Sequence, residues 1–313
     1  MGSLLNSIGP SFEILFLDNG SPEAEADWAK SHIQDSRLRV FKLPSTRFFA
    51  GGINFLAKEA QGEFLVLMNS DIRVEPDWLQ ILDAQLQRTG YEAANADIRD
   101  ISHPEQPMDK KFCLDPFGLT HFTPMDTQDS GPALMAAGLG MAIKRSVFFE
   151  VGAMDDDFKM YFEDLDLSWR VGLWGYRIGY APGAIIHHVG QGSSTRSFFL
   201  WNRFRARRNR IWGYVKNSGP LMLVCFIPVH VFISAVRIAG SLVIGRFKIA
   251  VAEGAALPTA FFHIRIPLSK RGAVQKNRKV TDVQLVKLGF IVLPGWPLKK
   301  LFDLLFRSQK ADS

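Results

Sequence analysis

Short apolar runs alternate with amphipathic stretches along the first half of the chain. Residues 12–17 (FEILFL) are apolar and end at Asp18-Asn19-Gly20-Ser21, which predicts a strand running into a turn. Residues 22–33 suit a helix, with Glu23, Glu25 and Asp27 near its start, where the helix dipole favours anions. Residues 38–43 predict a second strand, and 51–60 a helix with Asn54 near its beginning. The run 64–68 is continuously hydrophobic, as central parallel strands are, and 78–86 is an amphipathic helix. This rhythm predicts an α/β fold with a mostly parallel sheet flanked by helices. Residues 97–130 break the pattern with prolines at 104, 107, 116 and 124, and connections that long usually serve as lids or binding loops. Order resumes at 139–144 and 147–151, then in a helix over 163–173 and a strand near 176–180.

The pattern changes after Ser194. Arg203, Arg205, Arg207, Arg208 and Arg210 are interleaved with Trp201, Phe204 and Trp212. Residues 221–236 then run without a formal charge, interrupted by Pro228 and His230 and closed by Arg237. A spanning helix needs roughly 20 predominantly apolar residues. This segment reaches that length only by taking Arg237 inside, at about 2.5–3.5 kcal/mol on insertion scales. A span, a helix lying in the bilayer and a buried helical hairpin are the three alternatives, and the flanking Arg and Trp favour a membrane. Lys270, Arg271, Lys276, Arg278 and Lys279, followed by 298–306, give the tail the character of a surface-bound element. The expected division is an α/β segment over 1–215 and an apolar, basic, helical, membrane-associated region over 216–313.

At 313 residues and 47% hydrophobic content, the chain can bury a sizeable core. The net charge of +6 is unevenly placed, with seven Lys or Arg and no acid between Arg196 and Lys216. That cluster points to an anionic partner. No nucleic-acid recognition motif accompanies it, and the apolar run beside it suits lipid, so a membrane surface is expected and nucleic acid is not. Cys113 and Cys225 are too few and too isolated for a metal knot or a disulfide framework, and fit a reducing compartment. No Gly-x-Gly-x-x-Gly follows the first strand, which argues against a dinucleotide-dependent oxidoreductase.

Candidate chemistry gathers at two acidic stations. Asp71 closes Met68-Asn69-Ser70-Asp71, where an apolar strand meets solvent. A hard cation there needs one or two carboxylates plus substrate phosphates; the alternative is a cap for the helix entered through Glu75-Pro76-Asp77-Trp78. Glu163, Asp164 and Asp166 crowd one helical turn. Asp166 stands four residues before Arg170 and can pair with it. Glu163 and Asp164 lack an obvious local cation; mutual repulsion raises their proton affinity, as a general base requires. Asp18, at a strand's carboxyl end, suits contact with a base or ribose, or else makes an Asx-turn into Gly20. His187-His188 ends an apolar segment and offers imidazole to a metal, and Gly190 and Gly192 beyond it would let backbone amides approach phosphate.

The stretches FEILFLDNGS (12–21), RFFAGGINFLAKEAQGEFLVLMNSDIRVEPDWL (47–79), GLGMAIKRSVFFEVGAMDDDFKMYFEDLDLSWR (138–170) and HHVGQGSS (187–194), with RKVTD (278–282) in the tail, resemble family-2 glycosyltransferases of the GT-A fold. The likeness is strongest to the rhamnosyltransferase-like branch acting on bacterial surface glycans, and covers roughly 3–215. It implies that Asp18 contacts the donor nucleoside, with Asn19, Arg47, Asn54 and Asn69 also on the donor side. It implies that Asp71 is the last acid of a metal-binding DXD motif, here reduced to Asn69-Ser70-Asp71. His187 would complete the shell of a divalent metal (Mg²⁺ or Mn²⁺), with His188 as the alternative. Asp164 would be the base, with Glu163 next. The donor would be a nucleotide sugar, dTDP-rhamnose first, and the acceptor a glycan or lipid-linked glycan at the cytoplasmic face of the plasma membrane, with inversion. The family's opening strand, which ends in a base-holding segment, has no counterpart before 3–8, so its neighbouring strands are expected to show unpaired edges. The competing reading is a non-catalytic relative that binds a glycan or a partner.

Overall fold

The structure is a computed structural model that describes residues 1–23, 25–104, 110–114, 120–124, 138–189, 199–288 and 291. The glycine segment 190–194 and the tail segment 298–306 singled out above lie outside the described residues. The chain opens with a short helix, α1 (Gly2–Leu5). It is followed by β1 (Ile14–Asn19), α2 (Glu25–His32), β2 (Leu38–Leu43), α3 (Phe48–Glu59), β3 (Phe64–Leu67), β4 (Ile72–Val74) and α4 (Trp78–Thr89). Next come β5 (Ala93–Asp100), a hairpin of β6 (Lys110–Leu114) and β7 (Thr120–Pro124), β8 (Met141–Lys144), α5 (Arg145–Glu150), α6 (Glu163–Leu173) and β9 (Ile178–His188). Among the described residues five helices follow: α7 (Phe199–Asn217), α8 (Pro220–Val243), α9 (Phe247–Phe262), α10 (Arg265–Asn277) and α11 (Asp282–Lys287).

The α/β class expected from the alternation holds, and the sheet is mixed rather than mostly parallel. β1 and β2 form one parallel pair. A five-stranded sheet runs β3-β8-β5-β9-β4, in which β5–β9 is the parallel pairing and the other three are antiparallel. The continuous hydrophobicity of β3 comes from burial between layers, which an antiparallel neighbour permits as well as a parallel one. The region read as irregular carries the end of β5 and the β6–β7 hairpin. β5 (AANADIRD) escapes a pattern search because its buried positions are Ala93, Ala94, Ala96 and Asp97, none of them a large apolar residue.

α3 starts three residues before the expected helix, taking in Gly51 and Gly52. A Cβ at Gly52 would stand 3.0 Å from Asn19 Nδ2, so glycine lets α3 lie close on β1. Among the described residues, β1 pairs with β2 alone and β3 with β8 alone. Between these strands a cavity of about 2450 Å³ opens, lined by Leu15 and Leu17 from one and Leu65 and Leu67 from the other.

The C-terminal helices pack on the α/β part through a buried ionic joint. Asp166 is fully buried and accepts from Arg170 (2.8 Å), Lys216 (2.8 Å) and Asn217 (2.9 Å). Lys216 also reaches Asp155 at 2.6 Å, and Lys270 of α10 donates to Asp155 and, at 2.5 Å, to Asp157. Burial works against the charged form of Asp155, yet the two lysines hold its carboxyl well below the usual range. The Arg170–Asp166 pair expected from helical spacing is thus one edge of a larger network. α8 is long and apolar enough to cross a membrane, and Leu221, Val224, Phe232 and Val243 leave most of their surface exposed.

Candidate active site

The cavity between β1 and β3 is also lined by the polar residues Asn19, Asn69, Asp71, Glu163, Asp164 and His188. Both acidic stations therefore reach one space, although some ninety positions separate them in the chain.

Asp71 sits just before β4, and β4 pairs with the end of β9 so that Ile72 faces His188 and Arg73 faces His187. Successive side chains of a strand point to opposite faces. His188 accordingly turns towards Asp71, with Nε2 3.1 Å from Oδ2. His187 turns away and is nine-tenths buried, with Nε2 2.7 Å from Glu75. His188, not His187, thus shares the cavity with Asp71. Nor does Asp71 cap α4, whose N-cap position is Asp77. A carboxylate and an imidazole on one wall, with room for phosphate oxygens and water, form a donor set that fits Mg²⁺ or Mn²⁺. No group of three or more His, Cys, Asp or Glu converges among the described residues, so substrate oxygens would have to supply the rest of the shell.

The second station is built by an unusual turn. Lys159 has φ 63° and ψ −64°, and the Met160 amide donates to the Phe158 carbonyl at 2.7 Å. This is the rare, strained form of γ-turn. Tyr161 and Phe162 follow with φ of 69° and 80°. Non-glycine residues in such regions cost about 1–3 kcal/mol each and cluster at functional sites. The turn delivers the chain to α6 with Glu163 and Asp164 in its first turn, where the dipole favours anions.

These two carboxyls differ in surroundings. Asp164 Oδ2 accepts from the Gly138 amide at 3.0 Å and Oδ1 from the Leu165 amide at 2.8 Å. Desolvation pushes its proton affinity up, and those two amides oppose the push. Glu163 is 6% exposed, and its Oε2 is buried with no hydrogen-bond partner. Burial first, then the charge of Asp164, pushes Glu163 up to about 8. Glu163 therefore holds its proton well above the usual carboxylate range, and burial pushes Asp164 in the same direction against its two amide donors.

The other residues expected on the donor side make these local contacts. Asp18 accepts from the Ser21 amide and hydroxyl, both at 2.9 Å, and from the Ala26 amide at 3.4 Å, which ties the turn after β1 to α2; the bond goes to Ser21 rather than to Gly20 as an Asx-turn would have it. The Ser21 amide, foremost among these, holds its carboxyl below the usual range. Asn19 lines the cavity while tying β1 to α3, accepting from the Arg47 amide (2.9 Å) and donating to the Phe48 carbonyl (2.8 Å). The Arg47 side chain is exposed, its guanidinium 5.8 Å from the Phe55 ring. Asn54 bridges α3 to the Met154 backbone, at 2.8 and 3.0 Å, and to Asp156. Asp18, Arg47, Asn54 and His187 therefore stand outside the cavity lining. Sequence reasoning had no signal for Glu75, the partner of His187.

The family model "Glycosyl transferase family 2" matches residues 1–152. RfbC of Myxococcus xanthus, an O-antigen biosynthesis protein, is 26% identical over 198 residues, covering 57% of this chain and 15% of its own length. Protein y4gI of Sinorhizobium fredii is 27% identical over 224 residues, covering 66% of this chain and 24% of its own. The chain thus spans a quarter or less of these two relatives. The N-acetylglucosaminyl-diphospho-decaprenol L-rhamnosyltransferase of Mycobacterium tuberculosis is 38% identical over 58 residues, 18% of this chain and 19% of that protein. Among solved structures, Staphylococcus aureus TarS (residues 1–349) with UDP-GlcNAc superposes with a TM-score of 0.52 at 14% identity, over 73% of this chain and 67% of that one. GalNAc-T7 with UDP, GalNAc and Mn²⁺ gives 0.52 at 17%, over 65% and 41%. Residues 1–152 thus match the family 2 glycosyltransferase model, and the chain shares the fold of these solved glycosyltransferases.

Proposed function

We propose that the chain transfers a sugar from a nucleotide-sugar donor to a glycan or lipid-linked acceptor, with inversion, in the assembly of a surface polysaccharide. The observation that carries this reading is the meeting of Asp71 and His188 with Asp164 and Glu163 in one cavity. Asp71 and His188 would hold a divalent metal. When bound, the metal supplies charge stabilisation to the departing diphosphate. Asp164 takes the proton of the acceptor hydroxyl. The acceptor oxygen bonds to the anomeric carbon as the carbon–oxygen bond to the nucleoside diphosphate breaks. The Gly138 and Leu165 amides that donate to Asp164 favour its charged form, whereas Glu163 Oε2 has no such donor. Rhamnose from a dTDP donor is the leading sugar, on the likeness to the mycobacterial rhamnosyltransferase. Residues 1–215 would carry the chemistry, and the helical region 216–313 would hold it at the cytoplasmic face of the membrane through the exposed apolar side of α8.

Calorimetric titration of the full chain with UDP, dTDP and GDP, with and without Mn²⁺, tests the reading. Metal-dependent binding of one nucleotide is expected, lost in Asp71→Ala and kept in Asp164→Asn, which stops transfer. Binding of none sinks the donor site and favours the non-catalytic alternative.

A further inference from the structure

Asn209, in the middle of α7, is fully buried. Its side-chain amide donates to three consecutive-turn carbonyls: Phe158 (2.9 Å), Met160 (2.9 Å) and Tyr161 (2.6 Å). An amide nitrogen has two hydrogens, so at least one is shared between two acceptors. The other end of the amide is fixed as well. Arg208 Nε and Nη2 donate to Asn209 Oδ1 at 3.0 and 2.7 Å, so only one orientation of the amide satisfies both sides. The three carbonyls belong to the strained turn whose φ angles at Lys159, Tyr161 and Phe162 are all positive. A turn in that conformation persists only where its surroundings over-determine it. Glu163 and Asp164 follow it directly in the chain.

From this geometry we infer that Asn209 is a positioning residue for transfer, its amide clamping the turn that aims Glu163 and Asp164 into the cavity. Arg208 acts through it by setting the amide's orientation. The role rests on the glycosyltransferase reading above, while the clamp itself can be tested without it.

Hydrogen exchange on the full-length chain is the first test. Asn209→Ala should speed exchange of the 159–164 amides by about tenfold or more, as the loss of several hydrogen bonds implies, and leave β5 and β9 protected. Arg208→Ala, which keeps the asparagine, should loosen the same segment by less, and it carries the test where Asn209→Ala does not fold. Unchanged exchange in the folded variants overturns the clamp. The second test separates positioning from general stability. Asn209→Ala should retain Mn²⁺-dependent binding of the nucleotide the wild type binds, lower turnover and shift its pH profile. Equal losses in binding and turnover with an unmoved profile reduce Asn209 to a structural residue and overturn the positioning role. A wild-type chain that binds none of UDP, dTDP or GDP removes the glycosyltransferase reading, and the exchange result still decides the clamp.

Discussion

Replacing Asp166 with alanine removes the centre of the joint between α6, α7 and α10. The wild-type carboxylate is fully buried and receives Arg170, Lys216 and Asn217 at 2.8–2.9 Å. Arg170 keeps its bonds to the Val151 and Ala153 carbonyls, and Lys216 keeps Asp155, so neither cation is stranded outright. Both nonetheless lose a counter-charge inside the protein, and breaking a buried pair from one side costs about 3–5 kcal/mol. At roughly 2–4 °C per kcal/mol for a domain of this size, the melting temperature should fall by about 6–20 °C. The assay is a thermal melt of the detergent-solubilised full chain beside Lys42→Ala. That control breaks the Lys42–Asp27 contact, whose side chains are 48% and 64% exposed. An exposed pair is worth at most about 1 kcal/mol. A melt of Asp166→Ala that coincides with the control would refute the reasoning, because the joint would then bear no more than a surface ion pair.

Three further outcomes follow from the site. Glu163 is pushed up from 4.5 to about 8, so between those values the folded state holds a proton that the unfolded chain releases. Stability should therefore be greatest below pH 4.5 as far as this group decides it, and decline as pH rises towards 8; melts of Glu163→Gln across pH 5–9 should show a shallower decline, and parallel curves would deny the shift. His188→Ala should weaken Mn²⁺-dependent nucleotide binding at least as much as the roughly 10–100-fold typical of a lost supporting contact, whereas His187→Ala should change it little; the reverse order would return the metal to His187. Gly213→Ala would place a Cβ 2.2 Å from Phe162 Cε1, so overpacking of about 1–3 kcal/mol should outweigh the usual helical gain of alanine over glycine; a raised melting temperature would count against the packing of α7 on Phe162.

Much of the architecture was legible because β1, β2, β3 and α4 each state their identity in a few residues. An apolar run with a turn signal needs no distant partner to be recognised. The sequence pattern places a strand only near 176–180, before Pro182 and Gly183. The strand instead continues past them, with a register shift opposite Ala96/Asp97, to His188. That continuation decides the site. Which histidine meets Asp71 depends on the pairing of Ile72 with His188, a register between segments more than a hundred residues apart. Local sequence holds no record of it. Asp18 is a local case: the turn of Asp-Asn-Gly-Ser is legible in the sequence, and the carboxylate accepts from Ser21 within it. The acidic pair at 163–164 was visible, but the turn that aims it was not, since nothing in Lys159, Tyr161 or Phe162 announces a positive φ.

The ionic joint also sets geometry over a longer distance. Asp166 lies two residues beyond Asp164 on α6, and its partner Lys216 lies four residues before the first turn of α8. On the proposed function, a surface that received the exposed side of α8 would fix the height and tilt of Asp164 as well. The cleft would work at a set elevation above that surface, like the jaw of a fixed gauge. Acceptors would then be sorted by how far their hydroxyl stands from the membrane before any contact with the sugar is made.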